Sequence, residues 1–389
     1  MTNLESKYPR ILDMVNKAKS KIPYFCSEYL FSGTGKDDVV EYNSNIFKDI
    51  FICPKYLKGT IEANTSTNIL NFNFDAPFGV APVGSGGIIW PGAESALAKM
   101  SNEKNIPYCL SAVACSSIEE ISPISKNNGW FQLYPPKDKN IRDDILDRVN
   151  KNKFSVLVVT VDIPATSRRE RVKKAGVSIP PKLSYKTITQ AMAKPHWAMA
   201  TLANGWPNFF GTMNKYEFYK KDLLNENWNE MPRFVDWDYI SEIKEKWKGP
   251  IILKGIMHEE DAFKASKVVD GIILSNHGGR QIDIVPSPMQ VLPKIRSLVG
   301  NDFPILIDSG FYSGQDIVKA LVLGADFILL GRAFMIGLAA LGAKGPNHVH
   351  YILQDEIKNI MEQLCCSSIA ELKKETVYLG KNFHIKNFK

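Results

Sequence analysis

The stretch Ile273-Leu274-Ser275-Asn276-His277-Gly278-Gly279-Arg280-Gln281-Ile282-Asp283 runs from an apolar strand straight into a histidine and an arginine three residues apart. A short apolar run that ends in chemistry-bearing residues marks a parallel strand whose carboxyl end opens onto a site. The imidazole of His277 can take a proton near neutral pH. The guanidinium of Arg280 can fork onto a carboxylate. Gly278 and Gly279 between them allow a tight turn with no Cβ in the way of a ligand. A base and an anion clamp thus face one pocket.

Working outward, the same pattern recurs. Phe78 to Val83, Ile106 to Val113, Trp130 to Tyr134, Val156 to Asp162, Ile251 to Gly255, Gly271 to Asn276, Pro304 to Gly310 and Phe327 to Arg332 are β-rich runs, each followed by a longer helical segment. Eight such repeats predict an α/β chain folded as a (β/α)8 TIM barrel, with its chemistry on the loops after the strands. Polar or small residues close nearly every run: Gly84, Ser111, Gln132 with Tyr134, Thr160 with Asp162, Lys254, His277, Asp308 and Arg332.

The 389 residues suit one barrel domain. Residues 1–75 are expected to form a helical N-terminal cap, 76–340 the barrel, and 341–389 a C-terminal helix and tail. A long loop insertion is expected at 171–245, after the fourth strand. In the C-terminal segment, Leu353, Ile357, Ile360, Met361 and Leu364 form one helical face, which is expected to be core.

The net charge of +7 is scattered and no nucleic-acid motif is present, which argues against nucleic acid as a partner. The six cysteines, at 26, 53, 109, 115, 365 and 366, show no CxxC pair, so neither a metal site nor a disulfide framework is expected. Reduced thiols fit a reducing compartment. The N-terminus lacks the apolar core of a secretory signal, and no run of about 18 apolar residues occurs. The expected location is cytoplasmic, with peripheral attachment to the cytoplasmic face of the inner membrane as the further option.

That option comes from the insertion. From Arg171 to Tyr216 there is no acidic residue, whereas Arg171, Lys173, Lys174, Lys182, Lys186, Lys194 and Lys215 stand beside Trp197, Trp206, Phe209 and Phe210. Basic and aromatic side chains interleaved in this way suit an anionic membrane surface. A lid over the barrel mouth with solvated cations is the alternative.

Several segments in order, Tyr-Leu-Phe-Ser-Gly at 29–33, Phe-Gln-Leu-Tyr at 131–134, Thr-Val-Asp at 160–162, Arg-Arg-Glu at 168–170, Leu-Lys-Gly at 253–255, Ser-Asn-His-Gly-Gly-Arg-Gln at 275–281 and Lys-Ala-Leu-Val-Leu-Gly-Ala-Asp at 319–326, resemble the FMN-dependent family that oxidises 2-hydroxy acids. The resemblance spans Tyr24 to Leu372. It implies an FMN cofactor, a small 2-hydroxy-acid substrate, either oxygen or a membrane quinone or cytochrome as the electron acceptor, and a homo-tetramer or larger assembly. On the family pattern His277 is the active-site base and Asp162 the carboxylate that orients it. Arg280 and Arg169 then meet the substrate carboxylate, and Tyr29 and Tyr134 its oxygens. Whether the α-hydrogen leaves as proton or hydride stays open.

The same resemblance places Lys254 beside the flavin N1 and O2. Ser111, Gln132, Thr160 and Ser275 become flavin hydrogen-bond partners, and Pro82, Val83 and Gly84 the backbone along the ring. The phosphate is expected at Asp308, Ser309 and Gly310 with Gly331 and Arg332, with Asp308 on a ribityl hydroxyl. The chain departs here from the family's Asp-Gly-Gly-x-Arg, carrying Ser309 for the first glycine and Tyr312 for the arginine. Val113 and Gly84 also stand where plant-type glycolate oxidases carry tryptophan and alanine, which opens room near the substrate. The segment from Pro180-Pro181-Lys182-Leu183 to Pro195-His196-Trp197 is similar to the bacterial dehydrogenase branch.

No NAD fingerprint competes, since Gly84-Ser85-Gly86-Gly87 has Ile89 where the third glycine belongs. Two other classes stay open: another FMN barrel enzyme such as an isomerase, which gives no reason for the His277 and Arg280 pair, and a non-catalytic ligand-binding barrel.

Overall fold

The structure, a computed structural model, describes residues 3–177, 184–204, 211–216 and 235–383. Eight strands, Phe78–Val80, Tyr108–Ser111, Gly129–Leu133, Val156–Thr160, Ile251–Ile256, Gly271–Leu274, Ile305–Ile307 and Phe327–Leu330, form a closed barrel. Neighbours in the chain are parallel neighbours in the sheet, and the last strand closes on the first through Ile328 beside Phe78. Each predicted run coincides with one of these strands, two of which reach one residue beyond it, at Gly129 and at Ile256. Except at the fifth strand, the ladders stop short of the runs' ends because residues such as Asp162 leave the sheet to line the mouth.

The strands read as continuous apolar runs because both of their faces are covered. One set of side chains, including Trp130, Val156, Val158, Ile252, Ile273, Leu306 and Phe327, fills the barrel interior. The alternate set, including Phe131, Leu157 and Ile272, packs under the helices. At the amino ends of the strands, the hairpin Thr67–Ile69 and Phe72–Phe74 plugs the barrel. Its Phe74 ring lies 6.2 Å from Trp130 and 5.8 Å from Phe327. Chemistry is thereby confined to the opposite end.

The helices between strands carry their own start and stop signals. Gly314–Leu323 begins at Ser313, whose hydroxyl accepts the Asp316 N–H while the Asp316 carboxylate accepts the Ser313 N–H. It ends at Gly324, at φ 116°, a conformation glycine adopts without a Cβ penalty. Ile317, Val318 and Leu321 are its buried face. Removing the Ser313 hydroxyl would cost about 1 kcal/mol.

The expectation of a helical cap over 1–75 holds only in part. Helices run only to Asp49; Ile50–Cys53 then pairs antiparallel with Thr376–Leu379, and the plugging hairpin follows. Residues 50–53 alternate between covered and open sides, a period-2 pattern that favours a strand. The insertion is also shorter than expected, because Trp237–Lys246 is a regular barrel helix that buries Ile240 and Ile243 ahead of the fifth strand. Its earlier part carries two helices, Tyr185–Met192 and Pro195–Ala203. In the C-terminal helix Gly345–Gln363, Leu353, Ile357 and Met361 are fully buried, so that stripe is core.

Candidate active site

At the carboxyl ends of the strands, His277 follows the sixth strand in the left-handed region, at φ 57°, and Gly278 and Gly279 continue it at 64° and 75°. Three left-handed residues in a row throw the imidazole across the mouth toward the fourth strand. There His277 Nδ1 lies 3.0 Å from Asp162 Oδ1 and 3.2 Å from Oδ2. Asp162 fits because residue 255 is glycine; a Cβ there would sit 2.4 Å from the Asp162 Cβ. The other ring nitrogen, Nε2, faces the Tyr134 hydroxyl at 3.5 Å. Burial pushes the His277 pKa below its ordinary 6.5, although Asp162 opposes the shift. Burial works against the Asp162 carboxylate, but His277 and Lys254 outweigh it and hold its pKa below the usual value. At neutral pH the pair is thus an uncharged imidazole backed by a carboxylate, ready to accept one proton. Burial, with Asp162, pushes the Tyr134 phenol up to about 12, so it stays a donor.

Lys254 is buried on the fifth strand. Burial opposes its charge, but Asp308 and Asp162 more than compensate and raise its pKa. Its Nζ lies 2.9 Å from Asp308 Oδ2 and donates to Ser275 Oγ at 2.9 Å. Around the rim, the buried Ser111 hydroxyl donates to Gln132 Oε1 at 2.7 Å, and Gln132 Nε2 donates to Thr160 Oγ1 at 2.9 Å. Pro82, Val83 and Gly84 leave the first strand beside this row. A Cβ on Gly84 would come within 2.8 Å of Val113 Cγ2, and the Gly84 carbonyl accepts the Tyr29 hydroxyl at 2.9 Å. The rim therefore offers alternating donors and acceptors, one fixed ammonium and a glycine-lined wall. That set fits the polar edge and flat face of an isoalloxazine ring.

Three guanidiniums border the same mouth. Arg280 donates to the Tyr29 carbonyl at 2.7 Å and lies over the Tyr29 ring at 4.6 Å. Arg169, held at φ 42°, donates from Nε to Ser167 Oγ at 3.1 Å. Arg332 donates to the carbonyls of Leu30, Gly278 and Ser32 at 3.1, 2.8 and 3.1 Å. Among the described residues none of the three has a carboxylate partner. Burial, then Arg169 and Arg332, push the Arg280 pKa down to about 9, the mark of cations crowded without an acid. An anion entering here would relieve that crowding. Ser309 and Gly310 stand on the neighbouring loop at φ 80° and 94°, with Gly331 and Arg332 across from them. Every predicted site residue thus lies at one end of the barrel.

Other residues that fix the site were not singled out from the sequence. Asn43 and Asn276 exchange side-chain amide hydrogen bonds at 2.9 and 2.8 Å. The Asp283 carboxylate accepts the backbone N–H groups of Lys36 and Val39 at 2.7 and 2.9 Å, and the Thr34 N–H donates to the Gly279 carbonyl at 3.0 Å. Together they stitch the cap onto the turn that carries His277. Asp283 closes the quoted stretch and was visible there; its partners, some 245 residues away, were not. Buried Glu94 accepts the N–H groups of Gly87 and Cys115, joining the loops after the first two strands.

In the insertion, Lys182, Trp206, Phe209, Phe210 and the Pro180–Leu183 segment lie outside the described residues. Trp197 is buried, edge-on to Phe25, and donates to the Ile89 carbonyl at 3.1 Å, so it belongs to the core and not to a surface. Arg171 pairs with Glu28 and Asp37, and Lys215 with Asp144, so these two cations are neutralised. The helix Tyr185–Met192 is turned inside out. It buries Thr187, and its Gln190 accepts the Phe25 N–H, while Tyr185, Ile188 and Met192 point outward beside Met199 and Leu202 of the next helix. Among the described residues no helix is long and apolar enough to cross a membrane.

Comparison with known proteins agrees with this geometry. The model of the FMN-dependent dehydrogenase family matches residues 18–379. L-lactate dehydrogenase of Vibrio cholerae serotype O1 is 34% identical over 367 residues, covering 92% of this chain and 96% of that protein. Among solved structures, (S)-mandelate dehydrogenase, described as a monotopic membrane protein, superposes with a TM-score of 0.86 at 31% identity, covering 93% of this chain and 97% of the other. Mandelate oxidase superposes with a TM-score of 0.83 at 26% identity, covering 96% and 99%. A family match spanning the whole barrel, together with a relative 34% identical over nearly its full length, leads to one assignment: the chain belongs to the FMN-dependent dehydrogenase family, and FMN is its cofactor.

Proposed function

We propose that this protein oxidises an L-2-hydroxy acid of the lactate, glycolate or mandelate type to the corresponding 2-oxo acid. The observation that carries this reading is the meeting, at one barrel mouth, of the Asp162-backed His277 imidazole with guanidiniums that have no acid partner among the described residues. Arg280 and Arg169 receive the substrate carboxylate, Arg280 through its planar fork. The substrate hydroxyl lies between Tyr134 and His277 Nε2. The substrate gives up two electrons and two protons; His277 takes one of the protons, and Asp162 stabilises the imidazolium that results. When bound, FMN would accept the two electrons and the other proton. Lys254 stabilises the negative charge that then builds beside it. Val113, packed against Gly84, forms the small-residue wall beside which the side chain of the acid lies. Asp308, the Ser309 and Gly310 backbone, Gly331 and Arg332 hold the ribityl and phosphate end.

Titrating the FMN-loaded protein anaerobically with L-lactate, glycolate and (S)-mandelate tests this reading through flavin absorbance. Bleaching by at least one acid supports it; a flavin that stays yellow with all three contradicts it.

The second acceptor in this proposal is a quinone or cytochrome at a membrane. Its support is the outward apolar face of Tyr185, Ile188, Met192, Met199 and Leu202, flanked by Lys173, Lys174, Lys186 and Lys194, none of which has a carboxylate partner among the described residues. The solved relative described as a monotopic membrane protein adds weight. Peripheral attachment at the cytoplasmic face of the inner membrane and a homo-tetrameric assembly belong to the same proposal. Light scattering of the purified protein checks the assembly.

A further inference from the structure

Ser309 sits at φ 80°, a left-handed conformation that favours glycine. A residue strained in this way persists only where its surroundings hold it, and here the side chain has two partners. Its hydroxyl donates to Asp308 Oδ1 at 2.7 Å and accepts the Gly278 backbone N–H at 3.0 Å. Asp308 turns its other oxygen to Lys254 Nζ at 2.9 Å. Lys254 in turn donates to Ser275 Oγ at 2.9 Å, and the same Oγ accepts the His277 backbone N–H at 3.0 Å. The path closes into a ring. Two successive N–H groups of the catalytic turn, those of His277 and Gly278, are both held by it, one through Ser275 and one through Ser309. The ring closes at the Lys254–Asp308 ion pair.

We propose that Ser309 is a positioning residue that locks the left-handed His277 turn to the Lys254–Asp308 pair, so that the proton acceptor and the cation beside the flavin are held as one unit. The roles of His277 and Lys254 rest on the function proposed above. A glycine at 309 would leave the Gly278 N–H without this partner and Asp308 with one donor fewer. A less solvated Asp308 draws harder on Lys254 and weakens its pull on charge at the flavin. The flavin then becomes harder to reduce, and the turn holding His277 loosens.

The test compares Ser309→Gly and Ser309→Ala in the FMN-loaded protein. Glycine relieves the backbone strain, so its variant keeps the fold, and both lose the hydroxyl. In both, the two-electron flavin midpoint potential, measured by dye-coupled reduction, is expected to fall by about 30 mV, a tenfold change in equilibrium constant. With the best substrate, kcat is expected to fall about tenfold at unchanged KM. A Ser309→Gly protein with the parent's potential overturns the proposal, as does a loss confined to Ser309→Ala. The potential needs no substrate, so a parent protein that no hydroxy acid reduces counts against the proposed function, while the potential still decides the role of Ser309.

Discussion

Asp162 and His277, 115 residues apart in sequence, meet through a 3.0 Å contact between Oδ1 and Nδ1, and this leaves Nε2 as the nitrogen that faces the open mouth and Tyr134. The carboxylate fixes which nitrogen carries the proton and which is free to accept one. It also partly offsets the burial that pushes the imidazole pKa down.

Replacing Asp162 by Asn removes that offset. The acid limb of kcat/KM reports the free imidazole, so activity in the parent falls only as pH drops below 6.5, the ordinary value, toward the lowered one. In Asp162→Asn the limb is expected to move to still lower pH, while kcat falls by about two to four orders of magnitude. A pH profile from 4.5 to 8 settles the direction, and a limb that moves upward contradicts the pairing. Stability follows the same sign. Both groups have folded pKa values below their ordinary ones, so what they contribute at neutral pH is lost on acidification, first for His277 below 6.5 and then for Asp162 below 3.8.

Ile188 and Met192 lie on the outward face of the inverted helix, far from the groups assigned to chemistry. Ile188→Glu with Met192→Glu is expected to weaken binding to vesicles containing anionic phospholipid at least tenfold, since each buried apolar side chain is worth about 1.5–3 kcal/mol. Turnover with a soluble dye as acceptor is expected to stay at the parent's level. Vesicle co-sedimentation reads the first and a spectrophotometer the second. Undiminished sedimentation would remove the membrane from the proposal.

On the resemblance, Tyr312 stands in for an arginine, and the nearby Arg332 already gives three of its donors to backbone carbonyls. Tyr312→Arg is therefore expected to tighten FMN binding about tenfold at low salt, the worth of one added charge-assisted hydrogen bond. The gain should shrink as ionic strength rises. Fluorescence titration of the apoprotein with FMN measures it, and equal or weaker binding in the variant would show that the phosphate end has no use for a second cation.

The barrel and the groups at its mouth were legible because each ends a strand: a strand's register carries Lys254, Asp162 and His277 to one rim wherever the helices lie. The stitching of the cap was not legible. Asn43 and Asp283 look like ordinary turn residues until residues more than 230 positions away are brought against them. The inverted helix was hidden for another reason. Its periodicity is plain, but which face turns inward was decided by Gln190 meeting the Phe25 N–H, and periodicity holds no information about that. Trp197 shows the converse: an aromatic in a basic segment read as surface proved to be core, because its indole N–H found carbonyls at the end of the short helix Gly86–Ile89.

The most direct measurement of the central claim is stopped-flow anaerobic reduction of the FMN-loaded His277→Gln protein by the parent's best hydroxy acid. The account predicts retained yellow flavin with unchanged FMN affinity and a reduction rate lower by two to four orders of magnitude. Bleaching at the parent's rate would show that the proton goes elsewhere and would contradict the role given to His277.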